Sequence, residues 1–520
     1  MIRCAVLGAA LVLSGCEVGP DYHKPPAPMA VQFKELAGWK PAMPMDGIDR
    51  GAWWSVYRDP LLDRLERSVA INNQNVRAQY FAYQQAQALV DEARANLFPV
   101  LGLTPGVTRS GAGAGTGNIV PNSTGISTTS SGTSTSTTSV RTANGTTGTR
   151  TSSSGGGAGT PRTTWTATGN ASWDVDVWGR IRRQIESQVA GAQVSAADLA
   201  NALLSAQGSL ATDYFEMRTS DALEDVLNRT VASYEHTVQI TQNQYNVGVA
   251  ARSDLITAQV QLENTRAQAI AAHIARQQYE HAIAVLSGVP PADLTIPRGT
   301  LANDVPVPPV TIPSVLLERR PDIAAAERAM LEENALIGVA VAGYYPDITL
   351  SAVFGFVGSP LGLLFHAANE VWSLGANANQ TLFNAGLTGA EVRATRAVYE
   401  QAVANYRQTV LTAFQQVEDE LVALHVLQDQ FKVQLLATQL ARRAVEISLN
   451  EYRAGTVAFT QVVVAQATAL ADEETLLGVQ QSRLVASVGL IEALGGGWNT
   501  SDLPTSAELQ RRNLIDPRNF

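Results

Sequence analysis

The chain spells the same bend twice. Tyr245-Asn246-Val247-Gly248, followed by Ser253-Asp254-Leu255 and Ala258-Gln259, returns as Tyr452-Arg453-Ala454-Gly455, then Thr460-Gln461-Val462 and Ala465-Gln466; Gly248 and Gly455 stand 207 positions apart, with no gap in the register. Identity at a fixed offset reads as an internal duplication. The flanks agree. A Pro-free stretch rich in Ala, Gln, Leu and Val precedes each glycine, from Arg180 to Asn246 and from Gly386 to Arg453, and a shorter one follows, from Arg252 to Leu286 and from Phe459 to Leu494. At 1.5 Å per residue the longer helices would reach about 100 Å and the returning ones about 50 Å. Helices this long, with apolar residues on one stripe, predict coiled-coil hairpins. The glycines sit at the bends, where positive φ ends a helix and lets the chain reverse.

Upstream of the long helices the apolar period changes from 3.6 to 2. Trp165, Ala167, Gly169, Ala171, Trp173, Val175 and Val177 alternate with Thr166, Thr168, Asn170, Ser172, Asp174 and Asp176. The alternation recurs over Ile348, Leu350, Ala352, Phe354 and Phe356, and over Trp372, Leu374, Ala376, Ala378 and Leu382; Leu101, Leu103 and Val107 give a weaker strand around Pro105. Strands are therefore expected at 98–108, 163–178, 345–357 and 371–383. Ten-odd residues with apolar-out, polar-in alternation fit transmembrane barrel strands, and a half-buried soluble sheet shows the same period. In a membrane, four strands leave sheet edges whose amides and carbonyls have no partner in hydrocarbon, so the chain would have to oligomerise. Three copies would supply about twelve strands.

These elements divide the chain into residues 60–288 as repeat 1, a Pro-rich linker at 289–320, residues 321–495 as repeat 2 and a tail at 496–520. The 109–160 stretch, almost wholly Gly, Ser and Thr, cannot offset its ordering entropy by burial and reads as a solvated loop. Residues 16–59 read as an extended linker.

Ahead of that linker, the apolar run Ala5–Leu13 follows Arg3 and ends in Leu13-Ser14-Gly15-Cys16. The run is too short to span a bilayer, which needs about 20 apolar residues, and reads as a cleaved export signal over 1–15. Its small-small-Cys ending is that of a bacterial lipoprotein, with Cys16 acylated and first in the mature chain. Cys4 would leave with the signal, so no intramolecular disulfide or cysteine metal site could form. A formal charge of −10 argues against a nucleic-acid partner. None of the six histidines has metal-ligand spacing, and no phosphate-cradling loop or nucleophile elbow is present, so no enzyme chemistry, metal or cofactor is expected. A rival reading is a coiled-coil surface lipoprotein, an adhesin working through its Ser/Thr/Gly region.

Together, Leu13-Ser14-Gly15-Cys16, Val18-Gly19-Pro20-Asp21-Tyr22 with Pro25, Trp53-Trp54, Asp59-Pro60-Leu61, Leu317-Glu318-Arg319-Arg320-Pro321-Asp322-Ile323, Leu382-Phe383-Asn384 and the two Tyr-x-x-Gly bends make the chain resemble the outer membrane factor family. These are the TolC-like efflux ducts, and the likeness is to their lipidated NodT or OprM-type branch. The resemblance implies a mainly α fold: a homotrimer closing a twelve-stranded transmembrane β-barrel above a long periplasmic helical barrel, with a mixed equatorial region. It implies a passive outer membrane export duct for drugs or other small molecules, fed by an inner membrane pump of the resistance-nodulation-division class through a periplasmic adaptor. It places adaptor docking at Val247, Gly248, Val249, Ala454, Gly455 and Thr456, and an aperture at Tyr245, Asp254, Tyr452 and Gln461. Where relatives carry aspartates after the second bend, this chain has Val457, Gln461 and Val464, so the acidic ring is thinner. Asp254 reads equally as a gate residue or as the cap of the returning helix.

Overall fold

The computed structural model describes residues 17–28, 33–34, 52–111, 161–306 and 319–511. The export signal, Cys16 and nearly all of the 109–160 loop lie outside them. The described residues gather into two compact units. One is helical and falls within 1–97, 176–346 and 380–520; the other is a sheet within 98–175 and 347–379. Each takes segments from both halves of the chain. Compaction thus follows the type of secondary structure, whereas the division into 60–288 and 321–495 follows the duplication.

In the helical unit, α1 (Pro60–Asn72) starts where the Asp59 carboxylate accepts from the Leu61 and Leu62 amides, with Pro60 at the first helical position. Asn73 ends it and caps α2 (Gln74–Ala95) through the Asn75 and Val76 amides. The long helix α3 (Arg180–Asn246) turns at Gly248 into α4 (Arg252–Leu286). After α5 (Pro321–Ala342), α6 (Leu387–Arg453) turns at Gly455 into α7 (Phe459–Ala493), and α8 (Ser506–Gln510) closes the described chain. Arg180 and Leu387 stand 207 positions apart, as do Asn246 and Arg453, so the duplication extends to the helix ends. Helix α3 lies in the middle, packed by α1, α2, α4, α5 and α7, whereas α6 packs chiefly on α5 and α7. The main apolar core gathers Trp53, Leu62, Tyr214, Phe215, Ile283, Ile296 and Leu484.

Two segments outside the repeats, the linker and the tail, are held against the helices. Past α4, Ile296 is buried, and the surrounding linker is gripped by charged side chains of the first hairpin. Arg276 donates to Asp221 (3.0 Å), to Glu280 and to the Ile296 carbonyl, while Arg218 donates to Asp221 (2.9 Å) and to the Pro297 carbonyl (2.8 Å). Glu280 and Asp221 accept the amides of Ile296 (2.7 Å) and Gly299 (3.2 Å). A run of backbone needs such partners wherever it is buried, which a plain surface connector would not. In the tail, Leu503 and Leu509 are buried among helices.

The sheet unit comprises β1 (Val100–Ser110), β2 (Arg162–Asp174), β3 (Asp347–Gly358) and β4 (Glu370–Asn379), antiparallel in the order β1-β2-β3-β4. The bounds correct the sequence expectation at every strand. β1 starts and ends two residues later than 98–108, since Arg109 and Ser110 still pair with Thr163 and Arg162. β2 stops at Asp174 rather than 178, because the Asp176 carboxylate accepts the Ile181 and Arg182 amides of α3 and Gly179 turns at φ 81°. β3 begins at Asp347 rather than 345: Tyr345 still donates to Ala342 of the preceding helix and Pro346 has no N–H. β4 therefore loses its partner beyond Asn379, opposite Asp347, and Leu382 and Phe383 lie outside the ladder, 93% and 88% exposed. Pro105 stays within the β1 ladder, opposite Ala167 of β2.

Candidate functional site: the strand face and the hairpin bends

Residues paired across an antiparallel ladder share a face. The register sets Leu101, Ala171, Ala352 and Leu374 in one row, and Leu103, Gly169, Phe354 and Trp372 in the next. The opposite face carries Thr104, Thr168, Gly355 and Val371 in one row and Gly102, Asn170, Val353 and Ser373 in another, with Thr166, Ser172, Ser351 and Asn377 nearby. One surface of the sheet is apolar across all four strands, and large residues on it, among them Leu101, Leu103, Phe354, Trp372 and Leu374, are exposed. β1 and β4 each pair with a single strand among the described residues.

The two bends share one hydrogen-bonding pattern. Gly248 has φ 78° and donates to the Tyr245 carbonyl (2.9 Å), and Val249 reaches back to Gln244 (2.8 Å). Gly455 has φ 74° and donates to Tyr452 (3.0 Å), and Thr456 reaches back to Glu451 (3.0 Å). The six-to-one bond with a left-handed glycine is a Schellman ending, which satisfies the last carbonyls of the helix. Val247 and Val249 are exposed, as are Ala454, Gly455 and Thr456, and a Cβ on either glycine would meet nothing within 4 Å. The bends are open surface.

Just beyond them the two hairpins touch. Tyr452 is buried, its ring 5.2 Å from that of Phe459, in a cluster with Ala258 and Val462. Burial raises its phenol above the usual range, and the charge of Asp254, from the other hairpin, adds to the effect. Asp254 is half-buried in the first turn of α4, but the capping position belongs to Ala251, whose carbonyl accepts the Asp254 amide (3.1 Å). Asp254 is not the helix cap. Tyr245 and Gln461 are exposed on α3 and α7. Of the four, Asp254 is near enough for its charge to act on the buried Tyr452 phenol, whereas Tyr245 and Gln461 are exposed in the single chain. Three cross-hairpin ties went unread in the sequence: Gln466 donates to Thr237 (2.9 Å), Gln244 to the Tyr452 carbonyl (3.5 Å), and Arg453 meets His236 (3.0 Å). Their only signal is membership of the duplicated segments. Among the described residues no three His, Cys, Asp or Glu side chains cluster as a metal site, and no helix is long and apolar enough to cross a membrane.

The family profile described as outer membrane efflux protein matches residues 67–289 and 312–496. TtgC of Pseudomonas putida, a probable efflux pump outer membrane protein, is 28% identical over 492 residues, 94% of each chain. The cation efflux system protein CusC of Escherichia coli is 26% identical over 495 residues, covering 94% of this chain and 97% of the relative. The solved outer-membrane channel OprN superposes with a TM-score of 0.80 at 25% identity, over 93% of this chain and all of that one. The CmeC outer membrane channel of Campylobacter jejuni shares the fold, with a TM-score of 0.81 at 21% identity, over 97% of this chain and all of that one. The chain belongs to the outer membrane efflux protein family: it is an outer membrane efflux channel of TolC-like fold with a periplasmic helical extension.

Proposed function

We propose that the protein is a passive, homotrimeric duct, anchored through an acylated Cys16, which takes small molecules from an adaptor and an inner membrane pump of the resistance-nodulation-division class. The observation that carries this reading is the four-stranded sheet with one apolar face and two outer strands that, among the described residues, pair on one side only. Such a sheet is stable in hydrocarbon only when closed, and three copies close about twelve strands.

Exposed apolar stripes on the helices support the same assembly. Ile256, Val260, Ile270 and Ile274 on α4, and Val422, Val426, Val433, Leu436, Leu440 and Ile447 on α6, recur at heptad spacing and are exposed in the single chain. A stripe of this kind calls for a facing helix. The open bends at Gly248 and Gly455 are the proposed adaptor-docking tips. Tyr245, Asp254, Tyr452 and Gln461 are the proposed aperture residues, with the charge of Asp254 on one hairpin acting on the Tyr452 phenol of the other. Cargo selection belongs to the pump, since relatives of comparable likeness are named for a cation and for toluene.

The test is the oligomeric mass and single-channel conductance of the purified mature protein. A trimer with small, occasionally opening conductance is expected; a monomer without conductance overturns the reading. Gly248→Trp and Gly455→Trp should abolish efflux and leave the trimer intact, because a side chain there meets open space and strains only the bend, by about 1–2 kcal/mol. Normal efflux by both variants overturns the docking assignment.

A further inference from the structure

The motif Val18-Gly19-Pro20-Asp21-Tyr22 belongs neither to the strand face nor to the hairpin bends. It is not a loose tether. Val18 donates its amide to the Trp178 carbonyl (3.1 Å), and the Pro20 carbonyl accepts from the Asn334 side chain (3.0 Å). The buried Arg183 guanidinium reaches Glu17 (3.4 Å), the Val18 carbonyl (3.4 Å) and Asp21 (2.9 Å). Tyr22 and Ala27 pack on Ile323, Met330, Val403 and Tyr406, and Lys24 pairs with Glu327 (2.6 Å).

Two glycines make the approach possible. Gly19 has φ 107°, and a Cβ on it would stand 2.5 Å from the Gly338 Cα on α5. A Cβ on Gly338 would stand 2.8 Å from the Arg183 Cγ and 3.0 Å from the Val18 carbonyl oxygen. Nearly every residue from Glu17 to Lys24 therefore has a complementary partner: a carboxylate for the arginine, bare backbone for bare backbone, an aromatic ring for an apolar hollow, an ammonium for a carboxylate. The partners come from the start of α3 in repeat 1 and from α5 and α6 in repeat 2.

We propose that the 17–27 segment is a peptide ligand of its own chain, bound in a groove formed by α3, α5 and α6, and that it clasps the two repeats together. A second consequence rests on the lipidation reading: an acyl group on Cys16 would be tethered where Glu17 meets Gly179, at the first turn of α3. Arg183 is then the positioning residue for the anchor as well as for the clasp.

Hydrogen–deuterium exchange on the full chain, purified from membranes, tests the clasp. In the wild type the amides of the 17–24 segment should exchange at least about tenfold more slowly than in Gly19→Val or Gly338→Ala, each of which fills the gap between strap and helix. Gly338→Ala improves helix propensity, so α5 should keep its protection while the strap loses its own. A strap that exchanges at the open-chain rate in the wild type, or that stays equally protected in both variants, overturns the proposal. Cys16→Ser, exported behind an ordinary cleaved signal, separates the two readings. The strap should stay protected without the anchor, and loss of protection there overturns an intrinsic clasp. An unacylated mass for the native chain would sink the anchor consequence alone and leave the clasp standing.

Discussion

The two hairpins hold one linker by two kinds of chemistry. In repeat 1, Arg218, Asp221, Arg276 and Glu280 form a buried ionic cluster whose members take the backbone of Ile296, Pro297 and Gly299. The residues 207 positions further on are His425, Gln428, Arg483 and Ser487. Of these, among the described residues, only Ser487 bonds the same linker, a few residues later and without a carboxylate: it donates to the Pro306 carbonyl (2.8 Å), and Gln480 donates to those of Ala302 (2.7 Å) and Asn303 (3.1 Å). Arg483 remains, bonded to the amide oxygens of Gln480 and Gln428, with its guanidinium 4.4 Å from the centre of the Phe431 ring, and burial lowers its pKa. A duplicated scaffold has thus kept a task and changed the means. Ions satisfy more backbone groups in repeat 1, but each depends on the others, since a buried charge that loses its partner is costly. Neutral amides and a ring make the second clasp less demanding.

The largest effect should come from breaking the ionic half. Asp221→Ala leaves Arg218 and Arg276 without the carboxylate they share and should lower stability by about 3–5 kcal/mol. Gln428→Ala removes one of the two neutral acceptors of Arg483 and should cost less, about 1.5–3 kcal/mol. Thermal unfolding of the two purified variants in one detergent checks the order, and equal losses would erase the distinction between the clasps. The apolar faces differ in the same direction. Leu204 on α3 is 8% exposed and its counterpart Leu411 on α6 is 49% exposed. Leu204→Ala should cost about 3 kcal/mol, and Leu411→Ala under about 0.5 kcal/mol in the single chain. A large loss from Leu411→Ala confined to the assembled protein would instead place that leucine in a contact between copies.

Much of this comparison could be read before the structure, and the unread part has a pattern. Hairpin ends and bends were legible because duplication doubles a weak signal: Gly248 and Gly455 identify each other, and helix period does the rest. The strand faces were legible in alternation, but their ends were not, because a strand stops where its neighbour leaves the ladder, as β4 does opposite Asp347. The clasp was invisible for another reason. Arg276 and Glu280 at i,i+4, and Arg218 and Asp221 at i,i+3, are the spacing of any solvated helix face. What buries them is a linker contributing backbone carbonyls and amides, which carry no side-chain signature. Near the bends, position in the chain does not show that the charge of Asp254 acts on the buried Tyr452, or that Ala251 rather than Asp254 holds the capping position that Ser253-Asp254 suggests.

Converting one clasp toward the other is a finer test. Gln428→Glu restores at Arg483 the acid that Asp221 supplies to Arg276, and should add about 1 kcal/mol at neutral pH. An arginine beside it would hold the new carboxyl below its ordinary value. The gain should therefore be present above the unfolded carboxyl pKa of about 4.3 and disappear as the pH falls through the folded value. A destabilised variant at neutral pH would mean that the second clasp cannot accommodate an ion at all.

The smallest effect concerns a pair that the repeats have in common. Asp213 on α3 and Glu420 on α6 are again 207 positions apart, and burial raises both carboxyls, Asp213 to about 6 with the charge of Glu216 adding to it. Here the sign is opposite to that of a salt-bridged acid. A raised carboxyl pKa means that the folded state binds the proton more tightly than the unfolded chain, so the contribution is greatest in acid and is lost as the pH rises through the folded pKa. Wild type should lose stability from about pH 4 to pH 6 relative to Asp213→Asn, which has no proton to give up, by at most about 1 kcal/mol because the site is partly open to solvent. Glu420→Gln should act in the same direction, and the double variant should flatten the profile further. Parallel pH profiles for wild type and Asp213→Asn would show that the aspartate is hydrated in solution, and that charge placement, unlike backbone geometry, has not been carried across the duplication.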